Sequence, residues 1–143
     1  MKFNWIVLGI LCLSSCKTKT VPQSAPVSNQ PLENSHWRLV WVSGIPDNIP
    51  NMPKQPFLQM KNGIASGSAG CNNYFGSYSF TQDSIHFSSM GSTKMFCAGK
   101  MDIEDNLYDA LDKANLYKIH GIQLELYNST VIVARFESVK VTK

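Results

Sequence analysis

The sequence predicts a mainly β protein, an antiparallel barrel-like sheet of about seven or eight strands with one helix packed on it. Three observations carry that prediction. Short segments with apolar residues at alternate positions recur along the chain, separated by turns rich in Gly, Asn and Asp. A single segment, 101–114, repeats its apolar residues at spacings of three and four instead. The stretch from Asn34 onward shows no internal repeat and is long enough for one small core.

The elements follow in order. "HWRLVWV" (His36 to Val42) alternates, with Trp37, Leu39 and Trp41 expected on one face and His36 and Arg38 on the other. The Pro- and Asn-rich run Gly44 to Pro56 excludes regular structure. "FLQM" and "IASGSA" flank Lys61-Asn62-Gly63, and Asn-Gly suits a hairpin because both residues accept positive φ. "YFGSYSF" and "SIHF" flank Thr81-Gln82-Asp83 as a second hairpin. In the exceptional segment, Met101, Glu104, Leu107, Tyr108, Leu111 and Ala114 form one helical stripe. Asp102, Glu104 and Asp105 read as a solvated helix start, and Lys113 suits the negative end of the dipole. "LYKIH" and "QLELY" turn at His120-Gly121-Ile122, and "TVIVARF" closes the series after Tyr127-Asn128-Ser129.

The N-terminus addresses compartment. After Lys2, "FNWIVLGILCL" is too short to span a bilayer, which takes about 20 apolar residues. It ends on Leu13-Ser14-Ser15-Cys16, which resembles a bacterial lipobox. We therefore expect residues 1–15 to be a lipoprotein signal peptide, Cys16 to carry the lipid, and the membrane to be met through that anchor. Residues 16–33, with three prolines and no aromatics, are expected to be a flexible tether, and 34–143 the domain. Lys17, where an inner-membrane retention signal would have aspartate, favours the outer membrane.

Composition excludes several functions. The 143-residue chain has a net charge of +3, with scattered Lys and Arg, so no nucleic-acid partner is expected. Cys71 and Cys97 lack zinc-site spacing, and Gly67, Gly70 and Gly76 are followed by no Gly-Lys-Ser/Thr, so neither metal nor other cofactor is expected. His36, His86 and His120 fall in no catalytic signature, so the chain is expected not to be an enzyme. "NST" at Asn128 suits a hairpin turn better than a glycan.

The remaining segment, "SGSAGCNNYFGSYSF" (Ser66 to Phe80), is part of a wider pattern. "GSAGCNNYFGSY", "MGSTKMFC" (from Met90) and "EDNLYDAL" (from Glu104) together resemble the META domain of the HslJ-like bacterial lipoproteins. "WRLVWVSG" and "IQLELYNSTVIVARF" resemble its two ends, whereas the long proline loop departs from it. The resemblance implies a compact β fold with one helix, an envelope location and a role in stress tolerance or antibiotic resistance, without an established catalytic mechanism. It also places Cys71 and Cys97 in motifs on adjacent segments, which implies a structural disulfide; a free reactive thiol at Cys71 is the alternative. Gly67, Gly70, Asn72, Asn73, Gly76 and Thr93 become structural motif positions, with the asparagines bonding local backbone. The function expected is a non-enzymatic envelope module that binds an unknown protein or small-molecule ligand. The alternative is an inhibitor or chaperone-like partner of an envelope enzyme, acting through Gly44 to Pro56. In cells, a radioactive fatty acid is expected to label the wild-type chain and not Cys16→Ala; equal labelling would sink the lipobox reading.

Overall fold

A computed structural model describes residues 29–140; Cys16 and the signal segment lie outside them. The strands are β1 (His36–Val42), β2 (Phe57–Lys61), β3 (Ile64–Ser68), β4 (Asn73–Phe80) and β5 (Ile85–Ser92). After them come the helix α1 (Met101–Lys113), then β6 (Leu116–His120), β7 (Gln123–Asn128) and β8 (Val131–Ser138). All strand pairs are antiparallel, in one eight-stranded sheet ordered β5-β4-β3-β2-β1-β8-β7-β6. The sheet curls into a half-barrel with α1, the one helix among the described residues, packed against it, the mainly β architecture expected from the turn spacing. Its two edge strands approach at one end only, through the Ser84–Leu116 bridge and the Ile85 N–H donating to Asn115 O at 3.2 Å.

Alternation explains the core. Trp37 and Leu39 on β1, Leu58 and Met60 on β2, Tyr74 and Tyr78 on β4, and Leu124 and Leu126 on β7 all point inward and are buried. Burying each such side chain contributes about 1.5–3 kcal/mol, which is why the half-barrel holds without full strand closure. Small residues make room for large ones: the Tyr74 ring lies against Gly67, where any Cβ would collide with it, and its hydroxyl donates to Phe57 O at 2.9 Å.

Four expectations need correction. Trp41 does not share a face with Trp37 and Leu39, because a bulge between Leu39 and Trp41 reverses the alternation. Val42 takes the buried place, and Trp41 lies outside under the Arg135 guanidinium, 5.0 Å from its ring centroid. The ordered domain starts before Asn34. Leu32 is buried, the Trp37 indole donates to its carbonyl at 2.9 Å, and Gln30 N–H donates to Gly121 O at 2.8 Å. β5 runs well past "SIHF" to Ser92, through a bulge where Ser89 takes φ 52°. Glu104 is not solvated; it is buried on the inner face of α1.

The strand register sorts the connections between two ends. The N-terminal residues, the β2–β3 and β4–β5 turns and the β6–β7 turn lie at one end. The β1–β2 loop, the β3–β4 turn and the start of α1 lie at the other. Helix packing is tested by Leu111, which is 1% exposed. Leu111→Ala is expected to lower unfolding stability by about 2–5 kcal/mol in denaturant titrations; a loss below about 0.5 kcal/mol would mean that the helix contributes no core.

Candidate functional site

The β3–β4 turn, Ala69 to Asn72, is buried throughout, which is rare for a connection. Gly70 takes φ 99°, a conformation that side-chain-bearing residues rarely adopt, and lets Ala69 N–H donate to Asn72 O at 2.8 Å. The turn thereby points Cys71 and Asn72 at the next connection.

Cys71 and Cys97 are joined by a disulfide, with Cα atoms 5.8 Å apart. The bridged sulfurs leave no thiolate at Cys71 to act as a nucleophile. Lys54, from the proline loop, donates to Cys71 O at 2.8 Å.

Asn72 is the centre of the site. Its side-chain nitrogen donates to Glu104 Oε1 at 2.7 Å and to Met95 O at 2.9 Å. Its Oδ1 accepts from the Thr93 hydroxyl at 2.7 Å and from Met95 N–H at 2.8 Å. Both amide hydrogens and both oxygen lone pairs are thus used, the full capacity of the group. The second carboxylate oxygen of Glu104 accepts Asn72 N–H at 2.9 Å. These charge-assisted bonds and the positive end of α1 compensate the buried carboxylate. Asn73, by contrast, has an exposed side chain, and its backbone pairs with Thr93. The asparagines therefore do different work, and Asn72 bonds distant segments rather than the local backbone expected.

The loop so held, Thr93 to Lys100, presents apolar residues to solvent: Phe96 is 83% exposed and Met95 55%. Beside it an open groove runs between the end of β5 and α1. Its larger part, about 520 Å³, has Tyr74, Met90 and Leu111 among its lining residues; its smaller part, about 280 Å³, reaches Met101 and Phe96. Ser92, Lys94 and Tyr108 line both. Tyr74 and Tyr108 meet edge to face, 5.9 Å between centroids. Burial raises both phenols above the ordinary tyrosine range, so they keep their protons. The Tyr74 proton is committed to Phe57 O, and the buried Tyr108 oxygen lies beside Ser92 and the Glu104 carboxylate.

Other candidates are not gathered here. Gly76 sits at the β4–β5 bulge, under Met90 and Ser88 O. His36 stacks on Phe57 at 4.4 Å, its pKa lowered by burial, while His86 and His120 are exposed on β5 and β6. Among the described residues no group of His, Cys, Asp and Glu is arranged to hold a metal ion. Sequence reasoning missed the role of Glu104 and the exposed tip. The first had a signal, since Glu104 falls inside the apolar stripe of α1. The second had none, because exposure of Met95 and Phe96 depends on how the loop is tied.

The class of protein is now defined: a curled antiparallel half-barrel whose turn, loop and helix are locked by one disulfide and one asparagine. Residues 30–140 match the model of the META domain, and the chain belongs to that family. In fold it is similar to the NMR structure of a protein from Burkholderia xenovorans, with a TM-score of 0.63 and 22% identity over 85% of this chain and 99% of that one. A second NMR structure gives a TM-score of 0.60 and 19% identity over 74% of this chain and 91% of the other. No curated protein matches.

The asparagines provide the test of this site. Asn72→Ala removes the partner of one oxygen of a buried carboxylate and of both polar groups of Met95, so a loss of about 2–4 kcal/mol is expected in equilibrium unfolding. Asn73→Ala is expected to stay within about 0.5 kcal/mol; equal effects would dissolve the distinction.

Proposed function

We propose that the chain is a lipid-anchored protein of the bacterial cell envelope, held at Cys16 in the outer rather than the inner membrane. Its META domain acts there as a non-enzymatic binding module that meets a partner protein through the Thr93 to Lys100 loop. The observation that carries this reading is the 83% exposure of Phe96 on a loop braced by the disulfide and Asn72. Exposing a large aromatic on an ordered tip is unfavourable in water, and burying it against a partner recovers that free energy. Bracing removes most of the ordering cost that a mobile loop would incur on association. The half-barrel interior, filled by Trp37, Leu39, Tyr74 and Phe136, favours a surface contact over a carrier role.

The position of the loop supports the same reading. It lies at the end of the sheet opposite Asn29, from which the expected tether leads to the membrane. An inhibitor role remains the second reading, favoured by the proline loop. Ile49 is buried and donates its N–H to Val40 O at 2.8 Å, which pins that loop while Pro46 to Asn48 stay exposed.

A photo-reactive amino acid in place of Phe96 in the full chain is expected to give discrete protein crosslinks in intact cells. The same substitution at Lys61, on the opposite end, serves as control. An identical pattern from both positions, or none from Phe96, would remove the loop as the contact surface.

A further inference from the structure

The end of the half-barrel where Asn29 enters is built as one rim. Residues 30–34 cross it. Gln30 N–H donates to Gly121 O at 2.8 Å, the Tyr78 hydroxyl donates to the Glu33 carboxylate, and Asn34 N–H donates to Met60 O at 2.9 Å. Tyr117 ties β6 to the β4–β5 turn, its N–H donating to Asp83 O at 2.9 Å and its hydroxyl to Thr81 O at 3.1 Å. The β2–β3, β4–β5 and β6–β7 turns are thereby tied together.

Each of those three turns exposes one large apolar side chain: Ile64 is 55% exposed, Phe80 43% and Ile122 53%. A single exposed apolar residue needs no explanation, but one on every hairpin of the same end forms a set. Because the backbone beneath them is braced, covering them costs little further ordering.

Charge divides the molecule along the same line. Lys61, Lys118 and Lys140 belong to this end, against Asp83 and Glu33, and Glu33 already accepts the Tyr78 hydroxyl. The rest of the described residues carry six cations and eight anions. Lys17 and Lys19, which follow Cys16 closely in sequence, add two cations on the approach to Asn29. The other end also exposes apolar residues, Met95 and Phe96, but there Lys94 and Lys100 stand against Asp102, Glu104 and Asp105. An anionic surface is therefore attracted at the Asn29 end and not at the other.

We infer that this rim docks on the anionic phospholipid bilayer to which the chain is anchored. Ile64, Phe80 and Ile122 enter the headgroup layer, and Lys61 and Lys140 lie among the lipid phosphates beside them. The inference rests on the reading of Cys16 as the lipidated residue. Only residues 17–28 lie between Cys16 and Asn29, a stretch that reaches at most about 45 Å when fully extended. An anchor at Cys16 thus holds the rim near the membrane at high effective concentration, so weak contacts suffice. Each lysine at an anionic surface then changes the docked fraction about fivefold. Docking turns the Thr93 to Lys100 loop away from the membrane, toward a partner.

The experiment uses the chain from Cys16 onward, which contains every residue of the described core, labelled with ²H and ¹⁵N. With Cys71 and Cys97 bridged, Cys16 keeps the free thiol, and a maleimide lipid couples it to nanodiscs independently of any lipidation in cells. The discs are phosphatidylcholine alone or with one quarter phosphatidylglycerol, each with and without a gadolinium-chelate headgroup. On anionic discs, paramagnetic broadening is expected to be strongest at the amides of Lys61 to Ile64, Phe80 to Asp83 and His120 to Ile122, and weakest at Met95 to Gly99. Neutral discs are expected to lower the docked-to-free ratio at least about tenfold, as is Lys61→Gln with Lys140→Gln on anionic discs. Ile64→Ser with Ile122→Ser is expected to lower it at least about tenfold with an unchanged unfolding midpoint, because both side chains are exposed. Uniform broadening, broadening strongest at the Phe96 loop, or a pattern that neither pair of substitutions alters would each overturn the inference. If Cys16 takes up fatty acid in cells while the coupled domain shows no preferred face, the anchor stands and this inference falls. A rim docked on the discs without labelling of Cys16 in cells keeps the lipid-binding surface and removes the anchor.

Discussion

The side-chain amide of Asn72 is the interaction on which the turn, loop and helix start at one end of this molecule depend. It sits in a buried turn, where every unmet polar group costs about 1–3 kcal/mol. By bonding Thr93, Met95 and Glu104 at once, it joins the β3–β4 turn, the loop after β5 and the first turns of α1. No apolar residue of that shape would do this, and aspartate would set a second carboxylate against Glu104. The disulfide adds a covalent tie between the same turn and loop, worth roughly 3–4 kcal/mol through chain entropy. The two are complementary: the bridge limits how far the loop can travel, and the amide sets its orientation.

From that junction the consequences run outward. A fixed start for α1 lays Leu107, Ala110 and Leu111 across the open side of the half-barrel, where they complete the core. With the helix in place, the end of β5 faces a groove instead of a neighbouring strand. The loop, denied any path into the core, leaves Met95 and Phe96 in solvent. Stability and the placement of the exposed loop thus share one cause, and damage to Asn72 is damage to both.

The fold was legible where local chemistry decides it. Asn62-Gly63 accepts the positive φ that its turn needs, φ 51° and 78°, and β2 and β3 pair on either side of it. The stripe Leu107, Leu111, Ala114 specified which face of α1 is buried. Trp41 was misread because a bulge is invisible to a period-2 rule: one extra residue in β1 inverts every side chain after it. Glu104 was misread because charge was weighed above its place in the apolar stripe. At the site, the resemblance identified Asn72 and Asn73 as motif positions but not which of them turns inward, since adjacent residues at a strand start differ only in direction.

The sequence by itself determined the antiparallel sheet, the single helix and the family, because alternation, turn chemistry and helical spacing act over a few residues. It also carried the full set of parts for the junction: two cysteines, an asparagine, a threonine and a glutamate. Only the tertiary structure decided that these parts meet, and that the end of β5, Lys94 and Tyr108 line one groove. The physical reason is range. Asn72 bonds a carboxylate 32 positions away, and such a contact depends on how far the sheet curls and where its bulges fall. Sheet curvature is the sum of all strand pairings together, and no single segment encodes it.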